Sequence, residues 1–317
     1  MRRGRPANGP LESLKVKLWI ALVAAKVGKK TGYGLEKHFS PETIRIATDG
    51  GTIRSCKFDK YIRGEHVPEP ELVDKIEIEF PGTKAVLEHP FWVIANPSIT
   101  GIEALYNELN KLRSGITKLL FFTPLDSGRM PNRTHNKWDE QINLLVKESD
   151  WDALTACIGL IQEARYLGNP PQPMQHLYAK KTLGVFLPAI SQYPFTKIAD
   201  ELFLYLREHF LENKKDKDWT KILNEIELDK HILTYQNMRM LIEDLQIFQT
   251  HFFTPQQCLY IADKYLKPPV IAKIFHLFYN GQFRAANNLP EVKKLKRCLR
   301  KWEKKVAIDN GTIMTLV

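Results

Sequence analysis

The chain has 317 residues, 44% of them hydrophobic, with 46 Lys/Arg against 36 Asp/Glu and a formal net charge of +10. That length holds one large domain or two, and its richest apolar run, LWIALVAA at 18–25, is far too short to insert in a membrane and is flanked by Lys15, Lys17 and Lys26. The four cysteines, Cys56, Cys157, Cys258 and Cys298, form no CxxC pair; they suggest neither a zinc site nor a disulfide framework, and fit reduced thiols in a cytoplasmic protein.

The charge is uneven along the chain. Residues 1–66 hold 14 Lys/Arg against 6 Asp/Glu, and residues 289–306 hold 8 against 2. Residues 67–288 and 307–317 hold 24 against 28. Two basic ends on a slightly acidic body point to a polyanionic partner.

In chain order, MRRGRPANGPLE (1–12) reads as a flexible basic arm without a signal-peptide cleavage pattern. Ser13 is placed to cap a helix to about Val27, with Leu14, Leu18, Leu22 and Ala25 at helical spacing. A short helix is expected over Tyr33–Phe39. Ser40–Gly51 is polar and ends in the breaker Asp49-Gly50-Gly51. Thr52 is then placed to cap a helix to Arg63, closed by Gly64 in the left-handed conformation. Glu71–Phe80 puts Leu72, Val73, Ile76 and Phe80 on one face, and Pro81-Gly82 ends it. HPFWVIANP (89–97) reads as a packed connector and a domain boundary, dividing 13–97 from 98–317. Helices are expected at 99–113, 135–148, 151–167, 176–187, 195–212, 219–230, 235–251, 255–266, 269–280 and 290–306. Thr254-Pro255-Gln256-Gln257 forms a capping box. Leu119–Phe122 is the best strand candidate and reads equally well as a helix end. The charged run ENKKDKD (212–218) reads as a solvated turn. The fold class is all-α: an N-terminal helix cluster followed by a larger, irregular helical domain.

Two resemblances lie in the basic N-terminal segment. Arg3-Gly4-Arg5-Pro6 resembles the core of an AT-hook, which lies in the DNA minor groove. There a narrow A·T groove concentrates negative potential and extended arginines enter it. FDKYIRGEHVPEPELVDKIEIEFPGT (58–83) resembles the second half of a helix-turn-helix domain of the lambda-repressor/Cro type. Arg63-Gly64, Val67-Pro68 and the Leu72/Val73/Ile76 helix correspond to that family's helix end, loop and backing helix. Leu14–Val27 and Tyr33–Phe39 match its first two helices. The family joins its central helices by a tight turn; here Ser40–Gly51 intervenes, so either the turn carries an insertion or the segments pair differently. The resemblance implies that the 52–63 helix faces double-stranded DNA. Phe58, Tyr61 and Ile62 suit its buried side, while Arg54, Ser55, Lys57, Lys60 and Arg63 suit phosphate and base edges. With Arg3 and Arg5 in the minor groove, this is a combination that homeodomains also use.

PEVKKLKRCLRKWEKKV (290–306) places Val292, Leu295, Leu299, Trp302 and Val306 on one seam and basic residues elsewhere. The seam fits docking on the body or a homodimer contact; Lys294, Arg297 and Lys301 fit phosphate backbone. No GxGxxG, P-loop, GxSxG or HExxH occurs, and no cofactor or metal site is readable. The nine histidines are dispersed and read as structural, and the pairs Glu77/Glu79, Asp150/Asp152 and Glu225/Glu227 read as solvent-facing helix charges. The expectation is a non-enzymatic DNA-binding protein, a bacterial-type regulator or mobile-element accessory. The alternatives are a module binding an acidic protein or RNA, and a nuclease or toxin with dispersed acids.

Overall fold

The computed structural model describes residues 8–48, 51–121, 138–167, 172–212, 216–244 and 283–309, with 262, 263, 266, 267, 270, 271, 273, 274 and 277. It is helical almost throughout, as expected. Helix α1 (Pro10–Val27) starts three residues before the expected Ser13 cap, because Pro10 takes the first helical position, where its missing N–H costs nothing. The arm is correspondingly shorter: the Asn8 side-chain amide already donates to the Gly64 carbonyl at 3.1 Å. Gly28, at φ 72°, closes α1 by donating to the Ala24 and Ala25 carbonyls. Helix α2 (Gly32–Phe39) is capped by Thr31, whose hydroxyl accepts from the Gly34 N–H.

The helix expected from Thr52 starts later. Strands β1 (Arg45–Ile46) and β2 (Thr52–Ile53) pair antiparallel, Arg45 opposite Ile53 and Ile46 opposite Thr52. β-branched residues on both sides of the Asp49-Gly50-Gly51 turn signal favour a hairpin over a helix. Helix α3 is therefore only Lys57–Ile62, entered through Cys56 at φ 53°. Gly64, at φ 70°, ends it as expected. A Cβ at Gly64 would sit 2.8 Å from the Ser13 carbonyl oxygen, so glycine is what lets the end of α3 lie against α1.

Helices α4 (Pro70–Glu79), α5 (Lys84–Glu88) and α6 (Phe91–Ile94) lead into the body. Helix α7 (Ile102–Leu109) is followed by α8 (Ser114–Leu120), which resolves the Leu119 segment as a helix end. Next come α9 (Trp138–Glu148), α10 (Trp151–Tyr166) and α11 (Gln172–Ile190). Helix α10 is buried at every residue from Ala153 to Ala164 and runs through the centre of the body. Helix α12 (Ala199–Leu206) continues as a π turn, Arg207–Leu211, and the expected stripe Ile198, Leu202, Leu206, Phe210 is buried. The expected 219–230 helix is split into α13 (Lys217–Asn224) and α14 (Leu228–Asp244). The last described helices are α15 (Phe283–Asn287) and α16 (Pro290–Asp309). The capping box at 254–257 lies outside the described residues.

Two apolar clusters share α1. Val16, Trp19, Ile20 and Val23 face a small core with Leu35, Phe39, Phe58, Tyr61, Leu72, Val73 and Ile76. Leu14 and Leu18 face the large core. Phe91, Trp92 and Ile94 of the expected connector belong to the large core, so this stretch packs with the body. Among the described residues no helix is long and apolar enough to cross a membrane.

Candidate nucleic-acid interface

The expected DNA-reading residues divide sharply once placed. Arg54 and Ser55 precede α3 and turn toward a buried carboxylate. Glu36 of α2 is fully buried and accepts from the Ser55 backbone N–H at 2.9 Å, the Ser55 hydroxyl, and the Thr43 hydroxyl at 3.1 Å. Arg54 pairs with Glu36 at 3.4 Å and with Asp59 at 2.6 Å, its guanidinium 5.8 Å from the Tyr33 ring centroid. A buried carboxylate needs such partners. These two residues tie the end of the hairpin to α2 and α3 through their side chains, although Ser55 is exposed.

Lys57 pairs with Glu69; burial works against its charged form, but the Glu69 bond and the charges of Tyr61 and Glu69 together outweigh it and raise its pKa. Arg63 is exposed and pairs with Glu65 through Nε at 2.6 Å and a second N–H at 2.9 Å. Lys60, half-buried on α3, has no carboxylate within ion-pair distance among the described residues. Phe58 and Tyr61 are buried as expected; Ile62 is exposed.

On α16, Val292 and Leu295 are fully buried, so the first half of the seam docks on the body. Lys293, Lys294, Arg297, Arg300 and Lys301 are exposed. Lys296 lies between the two faces, with burial holding its ammonium below the ordinary range and its Nζ donating to Asn287 at 2.7 Å. Arg3 and Arg5 lie outside the described residues, as do the side chains of Trp302 and Val306.

The structure adds cations that sequence spacing did not single out. Lys29, Lys30, Lys37 and Arg45 are exposed and, like Lys60, lack a carboxylate within ion-pair distance among the described residues. Several acids nearby are already engaged: Glu12 with Lys15, Glu36 and Asp59 with Arg54, Glu65 with Arg63; Glu42, exposed between Lys37 and Arg45, is in no ion pair among the described residues. Lys29 and Lys30 also line a groove of about 850 Å³ between α1, the end of α3 and the Tyr193–Glu201 segment.

Glu225 and Glu227 are solvent-exposed as expected, beside Lys221 and Lys230, but the other two carboxylate pairs are not the free helix charges expected. Asp150 caps α10 by accepting from the Ala153 N–H at 2.7 Å. Arg113 reaches Glu148 at 2.6 Å and Asp150 at 2.8 Å, and its backbone N–H donates to Asp152. His89 bridges Asp152 through Nε2 at 2.9 Å, while its Nδ1 accepts from the Phe91 N–H at 3.1 Å. Those two bonds specify a neutral ring with its proton on Nε2. Burial raises Asp150; it also pushes Asp152 upward, but the His89 hydrogen bond and the Arg113 N–H and charge outweigh it and hold that carboxyl low. Glu77 accepts from the Lys84 and Gly82 N–H groups, which hold it below the ordinary range, and Glu79 pairs with His38. These groups join elements. Among the described residues no cluster of three or more His, Cys, Asp or Glu is arranged to hold a metal. Cys56, Cys157 and Cys298 are free, and burial pushes the Cys157 thiol up to about 12.

No family model, curated protein or solved structure matches the chain.

Proposed function

We propose that the chain is a non-enzymatic protein that binds double-stranded DNA through its N-terminal cluster, with affinity drawn mainly from phosphate contacts. The observation that carries this reading is the set of exposed or half-exposed cations that stand outside every ion pair among the described residues, Lys29, Lys30, Lys37, Arg45 and Lys60, against Glu42 as the exposed acid between them that is likewise outside any pair. They come from the α1–α2 loop, α2, β1 and α3, around one small apolar core. Unpaired surface cations release condensed counterions on meeting a duplex, which is the source of salt-dependent affinity. The exposed face of α16 supplies further positive charge. The helix-turn-helix likeness supports the reading through α1, α2 and α3, with the β1–β2 hairpin standing where that family has a tight turn.

The test is a mobility-shift titration with mixed-sequence duplex across a salt series. The full chain is compared with Lys37→Ala/Arg45→Ala/Lys60→Ala, which disturbs no ion pair described above. Each lost phosphate contact lowers the slope of log K against log salt by about 0.9, so the triple variant flattens it by roughly 2.7. A folded triple variant with an unaltered slope overturns the assignment. Removal of residues 1–7, which leaves Asn8 and α1 intact, tests the arginines of the arm.

A further inference from the structure

The groove along α1 has a chemistry of its own. Its floor is apolar, with Ile20, Ala21, Ala24, Ala25 and Ile62 among the lining residues. Around it stand Lys17, Lys29, Lys30, Arg63 and Lys197, and a single carboxylate, Glu201, that Lys17 already holds at 2.6 Å. Tyr193 also lines it, with 49% of its surface exposed and its hydroxyl tied to the Ala21 carbonyl at 2.7 Å. That bond fixes the ring in place and leaves it available for stacking. The volume, about 850 Å³, lies in the range that encloses a small ligand. The C-terminal dipole of α1 opposes an anion here by about half an elementary charge. Gly28 and Lys29 N–H groups already cap the Ala24 and Ala25 carbonyls, and the cations outnumber the carboxylate, so the positive field dominates.

We infer that this groove is a binding site for a nucleoside phosphate, the base lying against Tyr193 and the apolar floor and the phosphates on Lys29, Lys30 and Lys197. The groove lies between the small core, through Ile20, and the body segment Tyr193–Glu201, so a ligand there touches both parts of the molecule. The site shares Lys29 and Lys30 with the DNA reading but adds Tyr193 and Lys197 of the body, and Lys197 has no carboxylate within ion-pair distance among the described residues.

The experiment is calorimetric titration of the full chain with ATP, adenosine and inorganic tripolyphosphate. ATP is expected to saturate one site, with adenosine and tripolyphosphate each weaker by about tenfold or more, because each makes only part of the contact. Lys197→Glu is expected to weaken ATP by at least about tenfold. Tyr193→Phe keeps the ring but frees it from the Ala21 carbonyl, and should bind ATP more weakly than the unaltered chain and more tightly than Tyr193→Leu, which loses the stacking face. Absence of saturable ATP binding overturns the proposal, as does tripolyphosphate matching ATP or a Lys197→Glu chain binding ATP normally. The Lys37/Arg45/Lys60 triple variant should bind ATP unchanged, and Lys197→Glu should keep the DNA salt slope. The two readings therefore fail separately.

Discussion

Glu36 offers the sharpest test of how the N-terminal cluster is built. Its carboxylate is fully buried and takes hydrogen bonds from the Ser55 N–H, the Ser55 hydroxyl and the Thr43 hydroxyl, with Arg54 at 3.4 Å. Glu36→Ala deletes one partner of a buried ion pair and leaves the Ser55 N–H without an acceptor. Loss of one side of a buried pair costs about 3–5 kcal/mol. Arg54 keeps Asp59 at 2.6 Å, which places the expected loss toward the lower end, roughly 3–4 kcal/mol. Glu36→Gln keeps the shape and one acceptor oxygen but no charge, and should lose about half as much, ~1.5–2 kcal/mol. The assay is equilibrium urea unfolding with the slope checked for constancy, together with amide exchange at Ser55. Exchange there should accelerate in the alanine variant while the amides of α10 keep their order of protection. A loss below about 1 kcal/mol for Glu36→Ala refutes the clamp. Arg54 would then be released toward solvent and would regain the DNA-facing role expected from sequence.

Three further outcomes follow from local geometry. Gly64→Ala forces φ 70° on an L side chain, at about 1–2 kcal/mol, and drives its Cβ to 2.8 Å from the Ser13 carbonyl oxygen; thermal unfolding should show a loss of at least about 2 kcal/mol, and a neutral substitution would show that α1 and α3 do not meet there. Gly159→Ala places its Cβ 2.6 Å from a Leu109 methyl where α10 crosses α7, and should destabilise by about 1–3 kcal/mol through overpacking; urea midpoints check it, and an unshifted midpoint would mean that the helices separate freely at this crossing. Glu77 is held below its ordinary value of 4.5 by backbone N–H bonds, so its contribution is present above that pH and drains as pH falls through the lowered value. Glu77→Gln should therefore be less stable than the unaltered chain at neutral pH, with the gap closing in acid; a gap that stays constant with pH would sink this assignment.

Local signals wrote much of the architecture legibly. Gly64 and Pro81-Gly82 ended their helices as expected, and the 198–210 stripe is buried as its spacing predicts. The failures share one cause: a tertiary partner decides between two locally acceptable states. Thr52 is a sound helix cap by type, but Ile53 finds Arg45 across a hairpin, and Ser55 finds Glu36. Asp150 and Asp152 have the look of solvent charges until Arg113 and His89 arrive from distant turns. Lys197 and Tyr193 carry no motif, and only the fold brings them beside Lys29 and Lys30.

The same redistribution of charge bears on how selective the proposed DNA contact would be. Helix α3 spans six residues, about 9 Å, and Arg54, Ser55 and Lys57 are held by acids of the fold. That leaves Lys60 and Arg63 to reach base edges from this element, and Arg63 must first leave Glu65. Two good base contacts at about 1–3 kcal/mol each fall at the low end of, or below, the ~4–10 kcal/mol that separates specific from non-specific binding in dedicated regulators. The expectation is strong salt dependence with modest sequence preference. Selection of duplexes from a random pool, followed by competition with mixed-sequence DNA at fixed salt, measures the ratio directly. A selected site that binds more than about a hundred-thousandfold tighter than mixed sequence would exceed what α3 can supply. The reading of bases would then have to come from the hairpin, through Arg45 and the exposed Ile46, or from the arginines that precede α1.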